Sequence, residues 1–286
     1  MRTALLFVMA ALPAAAAAQW TIDAEVSRVY DDNLSRAQRA SDMIGDRALV
    51  ARGALGRVFD AGEGTLTARL EARAARYDNH GGLDYAALGL GAGWRRKLGL
   101  GLTAPWIALD ASISHEDFSE RVRDGRRGAL SLTLGRRFSE RVDGLLGAAY
   151  DRRSQRDAFP TVPLLSGRPF SLQGRSVFAK GSLALGERAL LSAGAALRKG
   201  DVVSSTRRNF AIFSASDALS PDAAFGADFF AYRLTGARTA SYSVAVSWAL
   251  GPRASIDAGI VTDRTRTHGG LDYDGNVYSI GLVYRD

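Results

Sequence analysis

Three histidines, His80, His115 and His268, are the side chains of this chain whose ordinary titration falls near neutrality. His80 and His268 each open a copy of the same hexapeptide, HGGLDY, at residues 80–85 and 268–273. Two imidazoles brought together would suit a metal ion or an anionic ligand. His115 lies in SISHEDF, directly before Glu116 and Asp117. A histidine beside two carboxylates is the raw material of a hydrolytic site. The remaining repertoire is thin. There is no cysteine, so thiol catalysis and disulfides are excluded. No glycine-rich phosphate loop, zinc-ligand spacing or nucleophile elbow occurs. The residue types assign no catalytic residue, no metal site and no cofactor, and no enzymatic activity is expected.

What these residues can do depends on the elements that carry them. Residues 1–18 read MRTALLFVMAALPAAAAA. One basic residue, an apolar run and a string of alanines make a secretory signal peptide, with cleavage expected after Ala18. A membrane anchor is the other reading, but the run is short for a bilayer span. Residues 19–286 then form the mature domain. Its net charge is +6, the +7 of the whole chain less Arg2. Acids and bases are interspersed, with no basic block of the kind that binds nucleic acid. Mass spectrometry of the envelope protein should find Gln19 as the first residue; an intact Met1 would overturn the assignment.

The mature chain alternates with period two. In TLTARLEARA (65–74), Leu66, Ala68, Leu70, Ala72 and Ala74 share one face, with Thr67, Arg69, Glu71 and Arg73 on the other. SYSVAVSWAL (241–250) and VYSIGLVYR (277–285) repeat the pattern. Such alternation predicts strands with one apolar and one polar face. The polar faces are rich in Gly, Ser and Ala, with isolated charges. The apolar faces carry aromatics near their ends: Trp20, Tyr30, Trp94, Phe138, Trp248, Tyr278 and Tyr284. Aromatic girdles flanking an apolar band fit a transmembrane β-barrel.

Twelve strands are expected, near 20–30, 46–59, 65–77, 85–96, 105–117, 128–138, 142–153, 173–185, 189–204, 230–250, 254–266 and 276–285. Short connections alternate with long ones. Short periplasmic turns, long outer loops and an even strand number specify an all-β, closed antiparallel barrel in the outer membrane. Closure is required because an open strand edge is not tolerated in lipid. Both HGGLDY copies then become outer-end connections. Gly-Gly is expected to supply positive φ for a tight reversal. Leu-Asp-Tyr would restart the descending strand, with Tyr in the outer interfacial belt.

WTIDAEVSRVYDDNLSRA (20–37), SPDAAFGADFFAYRLTGA (220–237) and the ending HGGLDYDGNVYSIGLVYRD are similar to segments of a loose group of Gram-negative outer-membrane barrels. The group includes porin-like, exopolysaccharide-linked and surface-lipoprotein-assembly barrels. The resemblance implies an outer-membrane location and a barrel architecture. Lipoprotein-assembly members carry a helical-repeat domain that is not read here, so that activity is not carried over. Such barrels also commonly end on an aromatic residue, whereas Tyr284 is followed by Arg285 and Asp286. Outer-membrane phospholipases use a His and a Ser two apart, but the residues two away from His115 are Ile113 and Asp117. An enzyme would require His115, Glu116 and Asp117 to converge.

Alternation assigns Arg52, Arg69, Arg73, Arg95, Arg137, Lys180, Asp110 and Asp257 to the lumen. Asp23, Glu25, Glu71, Glu116, Asp143, Asp151, Arg198, Asp263 and Arg285 belong with them. Two readings remain open. A salt-bridged interior would make a rigid, closed, accessory barrel. A polar lumen with a basic ladder would make a passive, porin-like channel for small polar solutes, with an anionic preference. The longest connection, 205–229, holds Phe210, Phe213, Phe225 and Phe229, either as a plug folded into the mouth or as an outer contact patch. Ser220-Pro221-Asp222 predicts a short helical turn with Pro first. Expected partners are outer-membrane lipid and lipopolysaccharide, the barrel-assembly machinery, and a polysaccharide or envelope protein; nucleic acid is not among them.

Overall fold

The computed structural model describes residues 19–163 and 165–286, so the expected signal segment 1–18 lies outside the described residues. The strands are β1 (Gln19–Asp31), β2 (Asp46–Ala61), β3 (Gly64–Tyr77), β4 (Tyr85–Lys97), β5 (Trp106–Phe118), β6 (Gly125–Arg137) and β7 (Val142–Gln155). There follow β8 (Leu172–Ala184), β9 (Ala189–Arg207), helix α1 (Phe210–Ala215), β10 (Ala218–Pro221), β11 (Phe229–Ala249), β12 (Ala254–Arg266) and β13 (Asp272–Arg285). All but the four-residue β10 join one ring of twelve antiparallel strands. Each pairs with its sequence neighbour, β9 pairs directly with β11, and β13 closes on β1 from Asp23↔Arg285 to Asp31↔Val277. Every wall strand therefore has both edges bonded, the condition for crossing lipid.

Period two becomes inside and outside. Leu70, Val246 and Leu282, 42–52 % exposed, point outward as part of an apolar band. No hydrophobic core is needed within such a wall, because lipid covers that band. Short turns close the lower end: Ala61 and Gly64 are register partners, and Gly62 takes φ +61 in the two-residue turn between them. The chain folds as an outer-membrane β-barrel.

β9 and β11 depart from the common length. They run 19 and 21 residues, well beyond the 9–11 that a tilted span requires. Their upper halves form a hairpin extension, paired out to Phe229↔Arg207 and offset from the wall by a bulge between Leu234 and Ala237. Gly236 sits in that bulge at φ +66, where a side chain would be strained. β10 pairs with the free edge of the extension, Ala218↔Arg233 through Pro221↔Phe230, and its proline lies on an edge strand where a missing donor is tolerated.

The helical turn lies earlier than Ser220-Pro221-Asp222. Asn209 caps α1, its side-chain oxygen accepting from the N–H groups of Ala211 and Ile212. Ser220 and Pro221 are extended in β10, and Asp222 is taken up as a buried counter-ion.

Candidate functional site: the lumen and its covered mouth

The register places Arg52, Arg69, Arg73, Arg95, Arg137, Lys180, Asp110 and Asp257 on the inward alternation of β2 to β12. Several bases meet acids. Arg69 lies 3.4 Å from Glu71 and 3.2 Å from Asp110, and Arg52 lies 3.6 Å from Glu25. The Arg69–Asp110 pair spans β4, whose inward residues there are glycines. A Cβ at Gly93 would come within 2.6 Å of the Asp110 carboxylate. The run of alternating glycine in LGLGAG is thus the clearance that lets β3 and β5 pair across an intervening strand. Arg198 and Asp151 repeat the device over Gly174 at 3.4 Å.

Toward the periplasmic end the balance changes. Arg95 stacks on Trp106 at 4.0 Å, and among the described residues Arg95, Arg137 and Lys180 are held in no ion pair. Asp257 accepts hydrogen bonds from the Ser247 and Ser255 hydroxyls at 2.6 and 2.8 Å. A cavity of about 450 Å³ in the mid-lumen is lined by Arg52, Arg69, Arg73 and Arg285 against Asp23, Glu25 and Glu71.

The upper lumen adds Arg36, Arg123, Arg127, Arg153 and Asp201 to the expected Arg198 and Asp151. Together they line a cavity of about 390 Å³ between the hairpin extension and the wall. Arg153 binds Glu116 at 2.7 Å and Arg36 binds Asp31 at 2.6 Å. Arg127 and Arg153 continue the inward alternation of β6 and β7, Arg153 two residues beyond Asp151 and Arg127 directly opposite Arg153, so the signal was present in the alternation. Glu116 faces in while His115 and Asp117 face out toward Arg156. The three residues that an enzyme would need together are split between opposite faces of one strand.

The hairpin extension and its loop touch all five other outer connections. Ser205 N–H donates to the Ser35 carbonyl at 2.8 Å, and Arg207 binds Asp42 at 2.9 Å. Arg123 reaches across to fully buried Asp222 at 2.6 Å, and the Ser205 hydroxyl donates to the same carboxylate at 2.5 Å. Phe170, Val122 and Ala231 pack together. A second cluster joins Ile212, Leu219, Tyr232 and Leu234 to Leu271 and Tyr273 of the β12–β13 connection. Because β3–β4 stands on the far side of the ring from β9–β11, the contact of Ala224 with Gly82 carries the loop across the mouth.

Of the four phenylalanines, Phe229 is 2 % exposed and Phe225 packs between His80 and Phe229, at ring separations of 5.6 and 5.9 Å. Phe213 is half-buried against the larger cluster, whereas Phe210 is 83 % exposed.

The repeated hexapeptide grips this loop at two points. Gly82 lies against Ala224, where an added Cβ would come 2.8 Å from a backbone atom, and Gly269 lies against Ala215. The two copies differ in conformation. Residues 81–83 form a 3₁₀ turn in which neither glycine has positive φ, whereas Gly270 takes φ +71. The expected shared reversal is therefore corrected: in the first copy glycine serves close approach. The tyrosines are corrected too. Tyr85 faces inward and stacks on Phe118 at 5.1 Å, and Tyr273 is 7 % exposed beneath the loop. Neither belongs to the outer belt.

His80 and His268 do not meet. His80 Nδ1 lies 2.8 Å from Asp46, while His268 lies beside Gly236. At the upper end of β2, burial raises the Asp46 pKa, but the His80 and Asn79 side chains and the Arg47 and Asn79 N–H groups outweigh it and hold the carboxyl below the usual aspartate range. That carboxylate anchors the β3–β4 connection under Phe225.

Around the outside, Trp20, Trp94, Trp248 and Tyr284 stand at the lower end of the wall, and Phe138 occupies a lower turn. Tyr30 and Tyr278 stack at 6.2 Å at the upper end.

No protein-family model matches the chain, and no curated protein matches it. Among solved structures, an outer membrane channel of the COG4313 group from Pseudomonas putida F1 superposes with a TM-score of 0.60 at 10% identity, covering 96% of this chain and 97% of that one. The translocator domain of the autotransporter NalP from Neisseria meningitidis gives 0.46 at 14% identity, covering 93% and 88%. The first likeness is one of fold.

Proposed function

We propose that the chain is an outer-membrane channel for small polar solutes, narrowed at its outer mouth by the β9–β11 hairpin. The observation that carries this reading is the polar, charge-lined lumen beneath a single folded-in loop. The Pseudomonas putida barrel of similar fold is itself a channel. Most lumen bases are matched by acids, so selectivity is expected to be weak. Arg95, Arg137 and Lys180, gathered near the periplasmic end without an ion pair among the described residues, bias passage toward anions.

Reversal potentials measured across a salt gradient in planar bilayers test this. The native barrel should favour anions mildly, and replacing Arg95, Arg137 and Lys180 together by Gln should move the reversal potential toward cation preference. An unchanged potential would remove the anion-steering role from these residues. A second reading, a non-conducting accessory barrel serving polysaccharide or surface-protein export, draws support from the contact of the hairpin with all five other outer connections. Absence of conductance from both the native barrel and one lacking the loop would favour it.

A further inference from the structure

The outer wall bears a row of like charge. Arg175 on β8 stands opposite Lys199 on β9, Lys199 opposite Arg238 on β11, and Arg238 opposite Arg266 on β12. All four are exposed and alternate with inward residues such as Arg198 and Thr239, so they face away from the lumen. Arg264, one step lower on the same face, adds a fifth. Like charges directly opposite on neighbouring strands repel. Elsewhere on the upper outer face Arg28 pairs with Asp78 and Arg156 with Asp117, while Arg47 and Arg76 stand apart from one another in the register and form no continuous row. At its β13 end the row meets acids, Asp272 opposite Arg266 and Asp274 opposite Arg264, whereas Arg175, Lys199 and Arg238 face one another and Arg266 across the strands.

Below the row the wall is furrowed. An open groove of about 940 Å³ runs beneath it between Leu130, Tyr150, Val177, Leu197 and Tyr242. A second, of about 630 Å³, shares Val177, Leu197 and Tyr242 with the first and continues down the wall. Its floor is made of the outward alanines Ala148, Ala179 and Ala195. Small residues between larger ones leave a channel that acyl chains fill better than they cover a smooth wall.

We propose that this face seats a phosphorylated, multiply acylated glycolipid of the outer leaflet, its phosphates on the basic row and its chains in the furrow. The row lies at the outer ends of its strands, at the headgroup level: Arg266 is the last residue of β12. Its width chooses the lipid. Four strands at about 4.8 Å spacing span roughly 14 Å. One glycerol phosphate covers a fraction of that; two phosphates held apart by a disaccharide cover it. Arginine at three of the four positions suits bidentate phosphate contacts.

Native mass spectrometry of the mature protein in non-ionic detergent, with diphosphorylated hexaacyl lipid A as probe, tests the proposal. One lipid should remain bound. Replacing Arg175, Lys199, Arg238 and Arg266 together by Gln should weaken binding at least about tenfold, the loss expected when two or more charge-assisted contacts go. If the quadruple variant does not fold, as judged by heat-modifiable migration, Arg238→Gln alone at the centre of the row should still lower the bound fraction. Ala179→Trp with Ala195→Trp, which fills the furrow and keeps every charge, should also weaken it. Arg47→Gln with Arg76→Gln, on the outer face of β2 and β3, should not. Equal binding by the native and row variants would overturn the site, and equally tight binding of phosphatidylglycerol would overturn the choice of lipid.

Discussion

Removal of residues 208–226 should raise single-channel conductance severalfold while leaving a folded barrel. The deletion is well bounded by the register. Arg207 and Phe229 are partners, so Ala227 and Asp228 remain as a two-residue turn on an intact hairpin. What leaves is α1, β10, the Asp222 that Arg123 grips, and Ala224, which reaches Gly82 on the far side. The Ile212 and Leu219 contributions to the larger cluster leave with them. None of these residues bonds to a wall strand below the bulge, so the ring is untouched. Arg123 loses a buried partner, but it lies beside the upper lumen cavity, where water can reach it once the loop is gone. A deeper deletion, 203–234, would take the crossing hairpin as well and should give the larger rise. Unchanged conductance in both folded deletions would show that the loop does not obstruct passage, and would leave exposed Phe210 and its surroundings as an outer contact patch.

Val246→Arg should impair membrane insertion far more than Ser243→Arg. The two residues are three apart on β11, close in depth and opposite in direction: Val246 is outward in the apolar band, Ser243 inward. An arginine on the lipid face near mid-membrane costs about 2–4 kcal/mol, whereas one in a polar lumen keeps water and counter-charges. The Ser243 site is also roomy, facing Gly194 on β9. Refolding into vesicles followed by urea titration should show the Val246 variant destabilised by that amount and the Ser243 variant near native. Equal behaviour would mean that the wall is inverted at β11.

Much of this architecture was legible because a membrane barrel writes its inside and outside into alternate residues. The twelve wall strands fall within a few residues of the alternating segments, and Leu70, Val246 and Leu282 face where period two put them. The outer mouth was less legible. A phenylalanine-rich loop announces that it must be covered, but not by what: Phe225 and Phe229 turn in, Phe210 stays out, and Asp222 becomes an ion-pair partner ninety-nine residues from Arg123. The hexapeptide misled because identical residues were read as identical geometry, whereas glycine in one copy serves φ and in the other clearance. The basic row needed the register. Arg175, Lys199, Arg238 and Arg266 are scattered in the chain, and only the strand pairing lines them up.

The seam between β1 and β13 sets the order of events in folding. Asp23 and Arg285, partners in that seam, are separated by almost the whole barrel sequence, and the Asp286 N–H donates to the Ile22 carbonyl at 2.9 Å. Every other wall pairing joins strands linked by a turn or by one outer loop. Local hairpins can therefore form early, each with a modest loss of chain freedom, but the ring cannot close until the last strand has been made and delivered. Until then two strand edges stand open, the state most prone to pair with the wrong partner. The final contact is thus the slow one and the protective one, and an assembling cell must shield both ends of the chain until they meet.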